Sequence, residues 1–112
     1  MTKTKIELNK IEKLYGVTDA EKFYDIKNEI KTNGFINIQN IVVLENDFGY
    51  FAVTGSHRYA AYVSLGIEEI EVDLYQENEI PQILDRSDVD DQGKKLLSGE
   101  DYGNPTNSDW LF

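Results

Sequence analysis

Apolar and polar residues alternate over Lys5-Ile6-Glu7-Leu8-Asn9-Lys10-Ile11, the period-2 mark of a half-buried strand. After Gly16, Thr18-Asp19-Ala20-Glu21 has the spacing of a capping box, with Thr18 as N-cap and Glu21 three residues on. The helix it opens places Phe23, Ile26, Lys27 and Ile30 on one stripe, and Asn33-Gly34 supplies its stop. Ile38 to Leu44 ends in Ile41-Val42-Val43-Leu44, a short β-branched run that predicts a buried strand. Asn46-Asp47-Phe48-Gly49 predicts a hairpin turn, and Tyr50-Phe51-Ala52-Val53 the returning strand. A second helix over 57–65 follows, capped by Ser56 and ended by Gly66. Ile67, Ile70, Val72 and Leu74 mark a last strand, and Pro81 opens a short helix within Ile80–Leu84. The order β-α-β-β-α-β predicts an α+β fold, a small mixed β-sheet with two main helices.

Past Arg86 the chain turns to Asp, Gly, Ser and Asn, the makeup of a loose tail. Trp110-Leu111-Phe112 interrupts that pattern, as an apolar terminus that either docks on the core or meets a protein partner. The expected organisation is therefore one domain over 1–80 and an acidic, partly flexible extension over 81–112. At 112 residues the chain holds one modest core.

Charge sharpens this division. Residues 1–75 carry twelve acids and eight bases, while residues 76–112 carry nine acids and three bases, for an overall charge of −10. Repulsion from a phosphate backbone argues against direct DNA or RNA binding. The acidic extension has three readings: a solvating segment, a nucleic-acid mimic that occupies a basic site on another protein, or a lid. Without cysteine there is no thiol nucleophile, disulfide or thiolate metal site. No run of apolar residues is long enough to span a membrane, and MTKTKIELNK lacks the apolar stretch of a secretory signal, so a cytoplasmic protein is the simplest expectation.

The candidate chemistry is concentrated in Thr54-Gly55-Ser56-His57-Arg58, where a strand gives way to a helix and the chain's single histidine stands beside an arginine. A glycine lets the backbone approach a ligand without a Cβ in the way. The first amides of the helix have no internal acceptor and attract anions. Arg58 adds a forked cation, His57 a ring donor, and Thr54 and Ser56 hydroxyls. From the residues alone, two readings stand: a phosphate cradle, or a turn with a good cap. The run lacks the Gly-Lys-Ser/Thr ending of a Walker loop.

Extended to Thr54-Gly55-Ser56-His57-Arg58-Tyr59-Ala60-Ala61-Tyr62, the run resembles the signature of the ParB/sulfiredoxin superfamily. Sulfiredoxins read Gly-Cys-His-Arg-Tyr-Ala-Ala-Tyr here, and ParB proteins read Gly-Glu-Arg-Arg before a similar helix. Ile30-Lys31-Thr32-Asn33-Gly34-Phe35, Gln39-Asn40-Ile41-Val42-Val43 and Leu65-Gly66-Ile67-Glu68-Glu69-Ile70-Glu71-Val72 are similar to the family's flanking segments, in order, over about residues 5–80. The resemblance implies a nucleotide-binding domain, since the family holds ATP in sulfiredoxins and CTP in ParB proteins. It makes Gly55, Ser56, His57 and Arg58 the phosphate loop, with Gln39 and Asn40 near the nucleotide. ATP or another nucleoside triphosphate, with Mg2+, is the implied cofactor.

Departures from the pattern narrow the chemistry. Ser56 stands where sulfiredoxin has its reactive cysteine, so thiol repair is excluded. Asn40 replaces a proline, and Ser-His in place of Glu-Arg weakens the case for CTP. ParB proteins continue into a helix-turn-helix segment, whereas acidic residues follow here. Some stand-alone relatives phosphorylate free serine with a glutamate ahead of the first long helix, and Glu12 and Glu21 occupy that stretch. The plainer readings are a solvated charge beside Lys10 and Lys13 for Glu12, and the capping-box acid for Glu21. Asp85, Asp88, Asp90 and Asp91 resemble a calcium loop in composition only, since Leu96 stands at the closing position. The expectation is a nucleotide-binding domain with NTPase or small-molecule kinase activity, and the alternative a non-enzymatic, acidic interaction protein on the same fold.

Overall fold

The computed structural model describes residues 1–13, 18–89, 94 and 97. Its strands are β1 (Thr2–Glu7), β2 (Ile11–Lys13), β3 (Ile41–Asn46), β4 (Gly49–Ala52) and β5 (Glu69–Gln76). The helices are α1 (Ala20–Asn33), α2 (Ser56–Ser64) and α3 (Ile80–Leu84). One mixed sheet runs in the order β1-β5-β3-β4-β2. β3 pairs antiparallel with β4 and parallel with β5, β1 closes antiparallel on β5, and β2 lies parallel to β4. The fold is α+β, as the pattern of apolar positions predicts.

Ile41-Val42-Val43-Leu44 is a continuous apolar run because β3 is covered on both faces. Ile41 and Val43 join Ile6, Ile30, Ala61, Ile70 and Val72 in the core beneath α1 and α2. Val42 and Leu44 face the other way, onto Val53, Tyr75, Ile83, Val89 and Leu97. Ile83, Val89 and Leu97, beyond residue 80, thus complete the second core. Val89 is buried although the text past Arg86 reads as loose, because one apolar side chain among aspartates gives no period to detect. Trp110-Leu111-Phe112 lies outside the described residues.

The single strand expected over Lys5–Ile11 divides in two. A 3-10 turn over Leu8–Lys10 separates β1 from β2, and the two lie at opposite edges of the sheet. Leu8 stays in the core, its amide donating to the Glu68 carbonyl at 2.8 Å. Alternation survives the break, so periodicity could not reveal it. Four strand spacings of about 4.8 Å make about 19 Å, while four residues reach at most about 14 Å. The sheet therefore curls until its edges approach.

Local signals set the ends of the helices. Asp19, one residue later than expected, is the N-cap of α1, its carboxylate accepting from the Lys22 amide at 3.1 Å. Gly34, at φ 69°, closes the helix with its amide on the Ile30 carbonyl. Ser56 is the first residue of α2 rather than its cap. Gly55 is the N-cap, with no side chain capping the helix.

Candidate functional site

Gly55 takes φ 87° and ψ 32°, a left-handed conformation that favours glycine. A Cβ there would lie 3.0 Å from Ile41 Cγ1 and 3.1 Å from both Nε and Nη2 of Arg58. Glycine is therefore needed twice, for the backbone angle and for the guanidinium folded back over it. Arg58 donates through Nη1 to the carbonyls of Gln39 at 2.8 Å and Asn40 at 3.1 Å, and through Nη2 to Thr54 Oγ1 at 3.3 Å. Burial lowers its pKa from the ordinary arginine value, against the opposing influence of Tyr62 and Asp88. One edge of Arg58 is thus committed to holding the strand entry against the loop.

His57 joins the second helix end to the first. Its Nε2 accepts the backbone amides of Asp19 at 3.1 Å and Thr18 at 3.4 Å. An atom that accepts hydrogens carries none, so the ring proton sits on Nδ1. Burial, then the charge of Lys22, lowers the His57 pKa, with Asp19 opposing. The N-termini of α1 and α2 therefore meet at this imidazole, and their unspent amides and dipoles favour an anion.

Ser56 is 8% exposed, and no described residue hydrogen-bonds its hydroxyl. A buried hydroxyl without a partner is costly, and this one has none among the described residues. Thr54 is buried as well, its oxygen occupied by Arg58. Gln39 and Asn40 reach the loop through their carbonyls. The Asn40 side chain turns away, donating to Glu71 Oε1 at 3.0 Å and Asp73 Oδ1 at 3.1 Å.

Glu21 lies exposed in the first turn of α1, on the helix end that meets His57. Glu12 lies exposed on β2, opposite Phe51, and its charge helps raise the pKa of Tyr59, after burial. Tyr59 donates to the Ile11 carbonyl at 2.9 Å, tying β2 to α2. The sequence reading missed Thr18, Asp19 and Lys22 as neighbours of the loop. Their capping pattern marked a helix start, but nothing in it says that the start will face His57. Among the described residues, no group of three or more His, Cys, Asp or Glu could hold a metal ion.

A curled five-stranded sheet, a left-handed glycine at the start of α2 and two helix N-termini that meet at one histidine define this α+β domain. The family model for the ParB N-terminal domain matches residues 2–85. The chain belongs to that family, within the ParB/sulfiredoxin superfamily. Sulfiredoxin from Arabidopsis thaliana has a similar structure, with a TM-score of 0.60 and 23% identity over 77% of this chain and all of that one. A Pnob8-like ParB-N domain gives 0.56 and 15%, covering 86% of this chain and 42% of that one. The C-terminally truncated ParB from Caulobacter crescentus, complexed with CTP-gamma-S, gives 0.56 and 17%, covering 90% of this chain and 62% of that one. The chain thus spans less than two thirds of either ParB chain, and at these identities the likeness shows the fold alone. No curated protein sequence matches it. No helix among the described residues is long and apolar enough to cross a membrane.

Proposed function

We propose that this domain binds a nucleoside triphosphate by its phosphates at the Thr54–Arg58 loop. The observation that carries the reading is the buried Ser56 hydroxyl, unpartnered among described residues, beside left-handed Gly55 at the opening of α2. Free amides there, the Ser56 hydroxyl, His57 and the uncommitted edge of Arg58 supply donors to phosphate oxygens. Lys22 adds positive charge near His57. With no metal cluster among described residues, Mg2+ would enter chelated by the phosphates. ATP is the ligand of first choice, because Ser-His stands where ParB proteins have Glu-Arg. Caulobacter ParB with CTP-gamma-S makes CTP the natural comparison.

Titration of ATP, CTP and GTP with Mg2+ against the full chain and Ser56→Ala, read by heat stability and equilibrium binding, tests this. Ser56→Ala removes one hydroxyl without filling space, and loss of one hydrogen bond to a charged phosphate predicts roughly tenfold weaker binding. No response to any nucleotide at millimolar concentration would overturn the reading and leave the acidic interaction protein. Should a nucleotide bind, phosphate release with and without free serine tests turnover. Loss of release in Glu12→Gln or Glu21→Gln would assign the general base.

A further inference from the structure

A groove of about 730 Å³ runs along the second half of α2, against the 3-10 turn over Leu8–Lys10. Tyr59 and Val63 line it from the helix, one turn apart, and Ile67 from the segment that follows. Leu8 closes it from the turn, and Glu7, Glu68 and Glu69 stand along it. It shares no lining residue with the Thr54–Arg58 loop or with Gln39 and Asn40.

The floor is apolar and the rim acidic. Leu8 is buried, and Tyr59 and Ile67 are half-buried against the same core. Val63 is 56% exposed, although an apolar side chain on a short helix ordinarily turns inward. All three glutamates are exposed. Glu7 stands directly opposite Glu69 in the strand register, and Glu68 comes just before it. Like charges so placed weaken a strand pair. Glu68 and Glu69 form no ion pair with any described residue. Glu7 has Lys10 at 3.5 Å, an exposed contact that contributes little and exchanges readily. The sheet thus carries a repulsion that an arriving cation would relieve.

We propose that this groove docks a basic segment of a partner protein, an apolar side chain flanked by lysine or arginine. The apolar side chain lies over Leu8, Val63 and Ile67, and its cationic neighbours meet Glu7, Glu68 and Glu69. Charge complementarity selects this occupant. Nucleic acid or an acidic segment would meet three carboxylates, and a second copy of this chain would bring a further −10. A wholly apolar segment would desolvate those carboxylates without pairing them. The net charge of −10 also draws a basic partner in from a distance.

The test is a two-dimensional amide NMR titration of the full chain at low salt, with each probe taken to about 2 mM. The probes are acetyl-Lys-Arg-Leu-Lys-Arg-amide, the same peptide with serine in place of leucine, acetyl-Glu-Glu-Leu-Glu-Glu-amide, and spermine. The basic leucine peptide should shift amides within 7–9 and 63–69. The serine peptide and spermine keep the charge but lose the apolar contact, and should bind at least roughly fivefold more weakly. The acidic peptide should cause no shift there. Val63→Ser and Glu68→Gln, both at exposed positions, should each weaken the leucine peptide by roughly threefold with the rest of the spectrum unchanged. Ser56→Ala should leave its affinity unaltered, so this outcome and that at the phosphate loop are read separately. Absence of shifts with the leucine peptide, equal binding of spermine, or unchanged affinity in both groove variants would overturn the proposal.

Discussion

Replacing Gly55 with alanine should be far more damaging than the same change at Gly66. Both glycines have positive φ, 87° and 71°. A left-handed residue with a Cβ costs about 1–2 kcal/mol at either position. At Gly66 the new methyl meets nothing within 4 Å, so the backbone cost stands alone. At Gly55 it meets Ile41 at 3.0 Å and the Arg58 guanidinium at 3.1 Å, and relieving such crowding adds about 1–3 kcal/mol. The sums are about 2–5 kcal/mol for Gly55→Ala against about 1–2 kcal/mol for Gly66→Ala. At about 4 °C per kcal/mol for a domain of this size, melting falls by about 8–20 °C and about 4–8 °C respectively. Calorimetry on the two variants and the parent decides it. Equal losses would refute the reasoning, since they would mean that Arg58 does not lie against Gly55 in solution.

Other outcomes follow from the same contacts. Arg58→Ala strips two carbonyls of their donor and should cost about 2–4 kcal/mol in urea unfolding, and lysine, lacking the fork, should restore less than half of it. The His57 pKa is lowered on folding, so the native state prefers the neutral ring. Its contribution is complete above the unfolded value near 6.5 and is lost as pH falls through 6.5 toward the folded value. Urea midpoints between pH 5 and 8 should therefore drop more steeply on the acid side in the parent than in His57→Gln. Ile83→Ala hollows the second core and should destabilise by about 2–5 kcal/mol, with one cooperative transition if residues past 80 fold with the sheet.

Elements whose signals are local were legible in the sequence. Asn33-Gly34 and Leu65-Gly66 ended helices where glycine had to turn left-handed, and Ile41 to Leu44 declared a strand buried on both faces. Long-range relations were not legible. Nothing near Leu8 says that the alternating run crosses from one sheet edge to the other, because a 3-10 turn keeps Leu8 inward as a strand would. Arg58 read as a free phosphate cation because its partners, the carbonyls of Gln39 and Asn40, are backbone atoms and leave no trace in residue type. For the same reason the two amides aimed at His57 were invisible. The Ser-His-Arg cluster could be located from its letters, but the division of labour within it could not.

The split of the opening segment between two sheet edges bears on how the chain comes off the ribosome. β1 pairs with residues 69–74, so of the described strands the one made first pairs with the one made last. Until residue 74 has emerged, β1 has nowhere to dock, although the β3–β4 hairpin and both long helices can form behind it. Synthesis at about 5–20 residues per second leaves that strand unpaired for several seconds. Lys3 and Lys5 give the waiting strand positive charge in an otherwise acidic chain, which discourages pairing with a second copy of itself. The two lysines that stand opposite Asp73 and Glu71 in the finished sheet thus also disfavour self-pairing of an undocked β1.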